Sequence, residues 1–412
     1  MKTSKLASLL VLLIFLFSLG FAGPAAAQDS AISFLAPPWG VPPNEDALNA
    51  FMEESGITVE IQSVQMADLY SRVQVSAAAG EAPADVIFIT EEGPSNVVAT
   101  GNMLPLNDLI EMSDLNTDDF EKLDFWTVDG DVMAIPTYLQ LVMMDYNAAR
   151  LAEAGFDEGP TTWAELHDQA MAIKAAGVDD YPIAFGAISW SWWLMALSMG
   201  DPMFDEDLNP VFADEGSKGR EAMALLKTFF DHDLISPEIL AGSINQHALF
   251  WSGVGTFHQA WQGSLAVANN PERSQQAPDS KYLVLPEVGN TWSFPAGIGI
   301  SVDSENVDAA WEFIKWYVSE GTQTDIYNAF GLYPSRVSVA AALNEEGVIQ
   351  GYDEIVEQSM HTNELPRFAL WWGPWAAFVS EEIKEAMQTG AAADDLIDAL
   401  AAEWNSLKEE YE

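Results

Sequence analysis

Tryptophan residues concentrate in predicted loops that also carry Gly, Pro and Ser. These residues are Trp39, Trp190, Trp192, Trp193, Trp251, Trp261, Trp292, Trp371, Trp372 and Trp375. An indole face stacks on the apolar face of a sugar ring, while nearby carboxylate, amide and guanidinium groups bind the sugar hydroxyls. Core filling is the competing use, and for any one of these residues it carries about equal weight. The pattern therefore predicts that some of them line a sugar site.

Motifs for catalysis or metal binding are almost absent. The chain has no Cys, and its five His residues do not form an H-E-x-x-H motif. It has no G-x-S-x-G elbow, Walker loop or nucleotide-binding G-x-G-x-x-G. The segment from Asp205 resembles the start of a calcium loop, but Pro210 and Gly216 stand where that loop needs Gly and Glu. The sequence therefore predicts no catalytic residue, no metal and no cofactor.

The charge of the chain is strongly negative. Its 412 residues include 16 Lys and Arg against 63 Asp and Glu, which gives a formal net charge of −47. This balance argues against a nucleic-acid partner, because phosphate binding needs clusters of basic residues. The acids are spread along the whole chain, which indicates an adaptation of the whole surface. Solubility and adaptation to a high-salt habitat are the two explanations, and we favour the second.

The N-terminus has the pattern of a secretory signal peptide. Lys2 and Lys5 precede an apolar run that ends in the small residues Ala25–Ala27. We therefore predict that residues 1–27 are removed, which gives a mature charge of −47 − 2 = −49. The absence of a lipobox Cys predicts a chain that is free in solution, not a lipoprotein.

Strand and helix patterns alternate after the signal peptide. Strands are expected at 31–35, 57–61 and 85–90, with helices between them that begin after Asn44 and near Asp68. A capping box at Thr162–Glu165 opens a later helix. Further helices are expected at 218–231 and from Asn306 to Gly321, and strands at 281–286 and 297–302. This order predicts an α/β protein with more than one lobe.

A series of short motifs resembles the extracellular solute-binding proteins of sugar ABC importers, the family that includes maltose-binding protein. Each piece alone is weak, but together they run in family order over essentially the whole mature chain. The matching segments are Glu81–Phe88, Gly101–Leu106, Gly130–Pro136, Tyr146–Asn147, Pro160–Leu166, Phe250–Trp261, Gly297–Ser301, Ala309–Ile314 and Gly331–Arg336. One departure is Val254–Phe257, which replaces the family's usual K-A-A-M.

The resemblance implies a two-lobed periplasmic-binding-protein fold of type II. Each lobe would be a β-sheet flanked by helices, with the ligand in the cleft between lobes. The first lobe would combine residues 28–137 and 297–330, and the second 138–292 and 333–412. Hinges are expected near 136–140, 289–296 and 328–336, and hinge motion would close the cleft.

The resemblance also implies a function without catalysis. The protein would be a monomer in the periplasm that captures a sugar or oligosaccharide and delivers it to the permease subunits of an ABC transporter. By position, the ligand-binding residues would be Trp39, Glu91, Glu92, Tyr138, Trp190, Trp192, Trp261, Arg336, Trp371, Trp372 and Trp375. Two alternatives stay open: the same fold holding a polyol osmolyte or a polyamine, and a secreted carbohydrate-active enzyme.

Overall fold

The strands of the protein form one mixed sheet and a small hairpin. The structure is a computed structural model that describes residues 30–90 and 93–412, so the predicted signal peptide lies outside the described residues. The strands are β1 (Ser30–Ala36), β2 (Ile57–Ser63), β3 (Val86–Ile89), β4 (Thr127–Val128), β5 (Asp131–Val132), β6 (Ile135–Asn147), β7 (Ile183–Ala184), β8 (Phe257–Trp261), β9 (Ser280–Leu283), β10 (Ser293–Ile300) and β11 (Tyr333–Pro334). The strand and helix alternation predicted from the sequence is confirmed.

The long strand β6 connects the two ends of the sheet. The strand order is β2-β1-β3-β10-β6-β8-β7, and β9 and β11 pair with β6 off this path. The first half of β6 pairs with β10, and its second half, from Val142, pairs with β8 and β9. β10 lies between β6 and β3 and pairs with both. The antiparallel strands β6 and β10 therefore connect the part of the sheet with β1, β2 and β3 to the part with β7 and β8.

Helices cover both faces of this sheet. They are α1 (Glu45–Ser55), α2 (Met66–Ala79), α3 (Asn107–Glu111), α4 (Ala148–Glu153), α5 (Trp163–Ala175), α6 (Ser189–Ser198), α7 (Lys218–Asp231), α8 (Pro237–Ala241), α9 (Gln246–Trp251), α10 (Ser264–Ala268), α11 (Val307–Tyr317), α12 (Glu320–Phe330), α13 (Val337–Glu345), α14 (Tyr352–Ser359), α15 (Trp372–Thr389) and α16 (Ala393–Tyr411). A π-helical turn, Pro94–Val98, follows β3. Within the described ranges, no helix combines the length and the apolar character that crossing a bilayer requires.

Helix caps explain several of the predicted boundaries. The Asn44 side chain accepts a hydrogen bond from the Ala47 amide at the start of α1 (3.1 Å), and Thr162 caps α5 in the same way through the Glu165 amide (3.1 Å). The predicted end of a helix at Gly321 is wrong. α11 ends at Tyr317, and Ser319 caps a new helix, α12, which contains Gly321.

Buried side chains divide the molecule into two lobes. In the first lobe, apolar clusters cover both faces of β1, β3 and β10 and include Phe34, Phe88 and Trp126. In the second lobe, a larger cluster surrounds α6, α7, α15 and α16, and a smaller one packs α13 and α14 on β6. The crossing segments are β6, β10 and the chain around β11. The exact lobe limits stay a prediction.

The acidic surface carries a prediction about salt. With 63 acids against 16 bases, most exposed carboxylates have no basic neighbour, and their mutual repulsion opposes the compact state. Salt at molar concentration shortens the screening length to about 3 Å, so this repulsion falls. We expect the melting temperature to rise between about 0.1 M and about 2 M KCl. A melting temperature that is flat or falling across this series would contradict salt adaptation.

Candidate functional site

The crossing strands β6 and β10 form a floor at the junction of the two lobes. Tyr138, Gln140 and Val142 alternate onto one face of β6. Tyr138 belongs to the first-lobe core and Val142 to the second-lobe core, whereas Gln140 between them is only partly buried. Phe294 of β10 is the cross-strand partner of Gln140, so the two side chains lie together on this face. An amide and an aromatic ring therefore mark the point where the lobes separate.

Trp190 lies beside this floor. It is in the first turn of α6, is partly exposed, and meets Phe294 edge to face with ring centroids 5.7 Å apart. Its other neighbour is Trp292, at 5.4 Å and 82° between ring planes. These contacts fix the orientation of the indole while part of it stays open to solvent. Trp190 is thus a rigid apolar surface next to a polar floor, which suits a sugar ring.

A buried guanidinium completes this group. Arg367 is 3% exposed, and its guanidinium carbon lies 4.4 Å from the ring centroid of Phe294 and 5.7 Å from that of Trp372. Stacking on aromatic rings holds a guanidinium in place and leaves its edge for hydrogen bonds in the ring plane. Arg367 is therefore a fixed donor group at the floor.

A pocket of about 370 Å³ opens between the lobes next to Arg367. Its walls come from the first lobe at residues 122–128 and from the second lobe at 364–368, with Trp292 and Ser293 between them. This volume falls in the range of small-molecule sites. Within the part of the chain that the structure describes, the buried indole N–H of Trp292 has no hydrogen-bond acceptor.

The first-lobe residues predicted for the site have mixed positions. Trp39 lies in the turn after β1, partly exposed and packed against the first-lobe core. Tyr138 is on the floor strand, but it is 2% exposed and packs against Phe88. Glu91 and Glu92 lie outside the described residues. Of these four, Trp39 is the one whose described side chain has an open surface.

Four predicted stacking residues are core residues instead. Trp192 and Trp375 are fully buried, and their indole nitrogens donate to the Gly219 and Leu400 carbonyls (2.9 Å each). Trp372 is also fully buried, and Trp371, 7% exposed, packs against Trp404. The second-lobe core takes the rings of Trp192, Trp371, Trp372 and Trp375, so they expose no stacking face in this structure, and a role in ligand binding stays a prediction. Trp372 still borders the site as one of the rings under Arg367.

Trp261 ties a crossing segment to the second lobe. It ends β8, is 8% exposed, and donates its indole N–H to the Gly331 carbonyl (3.1 Å). His247 meets this indole edge to face at 5.0 Å, and burial together with the nearby His258 lowers the pKa of His247 well below its usual value. A neutral imidazole and a backbone carbonyl thus surround the ring. This structure gives Trp261 a positioning contact and no open stacking surface.

The guanidinium of Arg336 is bound by other groups of the protein. Its guanidinium pairs with Asp119 (2.7 Å), donates to the Val318 carbonyl (2.6 Å) and stacks on Phe120 (4.4 Å). Burial alone would raise the pKa of Asp119, but hydrogen bonds from Ser338 and Arg336 lower it, so the carboxylate stays charged. Arg336 therefore joins α13 to the first lobe, and its binding of ligand hydroxyls stays a prediction.

Gln140, Phe294 and Arg367 are site residues that the sequence analysis does not predict. Gln140 carries a usable signal, because it is a polar amide flanked by Leu139 and Leu141 in a largely apolar strand. Phe294 and Arg367 had none, because their position depends on strand register and on a loop 73 residues away in sequence.

Chemistry beyond binding finds little support in this geometry. Over residues 30–90 and 93–412, no three His, Asp or Glu side chains are grouped to hold a metal ion. The Asp205 carboxylate accepts hydrogen bonds from the backbone of Asp207 and Asn209, which makes a local turn. The group on the crossing strands offers stacking surfaces and hydrogen-bond donors.

Comparison with known proteins identifies similar sequences. A family model described as bacterial extracellular solute-binding protein matches residues 46–353. The maltotriose-binding protein of Pyrococcus abyssi is 22% identical over 349 residues, which are 79% of this chain and 71% of that protein. The family match therefore covers most of the chain.

Solved structures share the fold. Maltose-bound MalE3 of T. maritima superposes with a TM-score of 0.77 at 20% identity and covers 92% of this chain and 100% of its own. A solute-binding protein of an ABC transporter from Agrobacterium vitis, with bound D-mannitol, gives a TM-score of 0.76 at 19% identity, covering 92% and 99%. The predicted type of fold is thereby confirmed.

Proposed function

The chain belongs to the bacterial extracellular solute-binding proteins, and from that premise we propose that it captures a sugar or oligosaccharide between its lobes. Proteins of this family are non-catalytic binding components of ABC transporters, so the alternative of a carbohydrate-active enzyme is set aside. The proposal rests on the group at the lobe junction, where the Trp190 ring contacts Phe294 and Phe294 pairs with Gln140 across the crossing strands.

The site binds the ring of the sugar by stacking and its hydroxyls by hydrogen bonds. The open part of Trp190 packs against the apolar face of a sugar ring, and Trp39 offers a second surface from the first lobe. The Gln140 amide and the Arg367 guanidinium bind hydroxyls. Hinge closure expels water and strengthens each of these hydrogen bonds. No covalent bond is made or broken.

We also propose the limits of the two lobes, the cellular location of the protein and its transport partner. The lobes are residues 28–137 with 297–330 and residues 138–292 with 333–412. After removal of residues 1–27, the mature chain is a monomer in the periplasm. Its partner is the permease of an ABC importer, which recognises the closed form.

A polyol is the second candidate ligand. It is favoured by the similarity to a binding protein with bound D-mannitol, whose ligand has hydroxyls but no ring. A polyamine is less well supported, because it needs several converging carboxylates. The described floor instead carries an amide and a buried guanidinium, and a cation would be repelled by Arg367.

A ligand panel tests the proposed function. We expect maltose, maltotriose and other neutral saccharides to include at least one that binds at micromolar concentration or below, by thermal shift and by calorimetry. Mannitol and ribitol form the polyol arm, and spermidine the polyamine arm. Binding of spermidine alone, weakened by salt, would contradict the proposal, as would the absence of any heat or thermal shift across all three arms.

A further inference from the structure

One segment of the second lobe reaches across to the first lobe beside the site. We call residues 367–373 the clasp. It follows α14 and ends in the first turn of α15. At its start, Arg367 stacks on Phe294 of the crossing strand. At its end, Trp372 is fully buried in the second-lobe core, 5.0 Å from Trp193. Both ends are thus held by side chains outside the first lobe's own core.

The middle of the clasp contacts the first lobe. The Phe368 ring lies 5.3 Å from that of Phe125 and 6.4 Å from that of Trp126. Through these rings Phe368 packs against the core cluster under β3. Phe368, which belongs to the second lobe by sequence, therefore packs against the first lobe.

A second contact lies five residues further on. A Cβ added at Gly373 would come 2.6 Å from Nδ2 of Asn96, in the π-helical turn after β3. The Asn96 side chain also accepts a hydrogen bond from Gln74 of α2 at its oxygen (3.3 Å). The lobes approach so closely here that a larger residue at Gly373 would displace the Asn96 side chain.

From these contacts we infer that the clasp holds the two lobes together, with Phe368 as the positioning residue that stabilises the closed arrangement. Removal of two aromatic contacts reduces the ratio of closed to open molecules by roughly three- to tenfold. Because a solute binds the closed form, its apparent affinity falls by the same factor where closure is incomplete. The inference deepens the proposed receptor function and rests on it for its purpose, but its test needs no solute.

The distance between the lobes provides that test. The chain has no Cys, so Val75→Cys in α2 and Met171→Cys in α5, both at exposed positions, give a unique pair of spin labels, one on each lobe. Pulsed electron resonance then measures the distance distribution without any ligand. We expect a short-distance population in the labelled protein, and in Phe368→Ala we expect the ratio of short-distance to long-distance molecules to fall roughly three- to tenfold. The matched control is Phe378→Ala, because among the described residues Phe378 packs against the second-lobe core and no first-lobe cluster.

A second variant guards against simple unfolding of the first. Gly373→Val removes no core atom, and we expect it to shift the distribution in the same direction by pressing on Asn96. Asn96→Gly in that background should restore the short distances. An unchanged distribution in both Phe368→Ala and Gly373→Val overturns the inference, as does a labelled protein with no short-distance population. If the lobes respond as expected but no panel solute binds, the clasp stands and the proposed ligand class fails.

Discussion

Replacement of Trp190 by alanine is expected to weaken binding of the captured saccharide by roughly 30-fold, about 2 kcal/mol. The ring is held by Phe294 and Trp292 and keeps an open part at the lobe junction, so its loss removes a pre-formed stacking surface. Titration calorimetry with the tightest ligand of the panel measures the change. The melting temperature should stay close to that of the parent, because the lost ring is partly exposed.

A matched control separates this effect from a general loss of tryptophan. Trp316 is also partly buried, but it stacks on Phe51 at the outer side of α11 (5.1 Å). Trp316→Ala should leave the affinity within about twofold of the parent. Equal affinities of Trp190→Ala and the parent would show that the indole does not contact the ligand.

Replacement of Trp375 by alanine is expected to have the largest effect on stability, a loss of about 3–5 kcal/mol in the free energy of unfolding. Its ring lies among Trp193, Phe204 and Trp404, and its indole N–H bonds to the Leu400 carbonyl. Alanine leaves a cavity in the second-lobe core and removes the donor to that carbonyl. Urea unfolding followed by circular dichroism measures the loss.

The affinity of the folded fraction distinguishes this role from a role in binding. We expect folded Trp375→Ala to bind the ligand nearly as the parent does, and Trp375→Phe to recover part of the stability by filling part of the cavity. A variant with parental stability and strongly reduced affinity would place the Trp375 ring against the ligand, contrary to its burial here.

Local structure could be predicted from the sequence wherever short-range signals decide it. Asn44 and Thr162 cap helices at the expected positions, and the segment 218–231 is helical over its full predicted length. The predicted helix end at Gly321 is wrong, because Ser319 caps a new helix that contains Gly321. Competition between two local signals within three residues is not resolved by either signal alone.

The site could be predicted only in part, because helix phase decides which tryptophans face outward. Trp190, Trp192 and Trp193 fall within the single helix α6, where apolar residues occur on all sides. The sequence therefore gives no hydrophobic stripe that separates a core face from an open face. Trp192 and Trp193 entered the core, and Trp190 stayed at the lobe junction.

Long-range partners set the remaining limit. Arg336 follows a crossing segment, which made it a candidate for the cleft, but its carboxylate partner Asp119 is 217 residues away. Conversely, Arg367 has no local motif and reaches the floor by stacking on Phe294. Such pairings depend on how the two lobes are assembled, which residue type and spacing do not encode.

A crystal structure with the tightest ligand of the panel would show directly whether the solute binds at the junction of the lobes. We expect a saccharide between the lobes, with a sugar ring against Trp190 and hydroxyls within hydrogen-bond distance of Gln140 or Arg367. A ligand bound away from the crossing strands β6 and β10, with Trp190 and Gln140 untouched, would rule out this site.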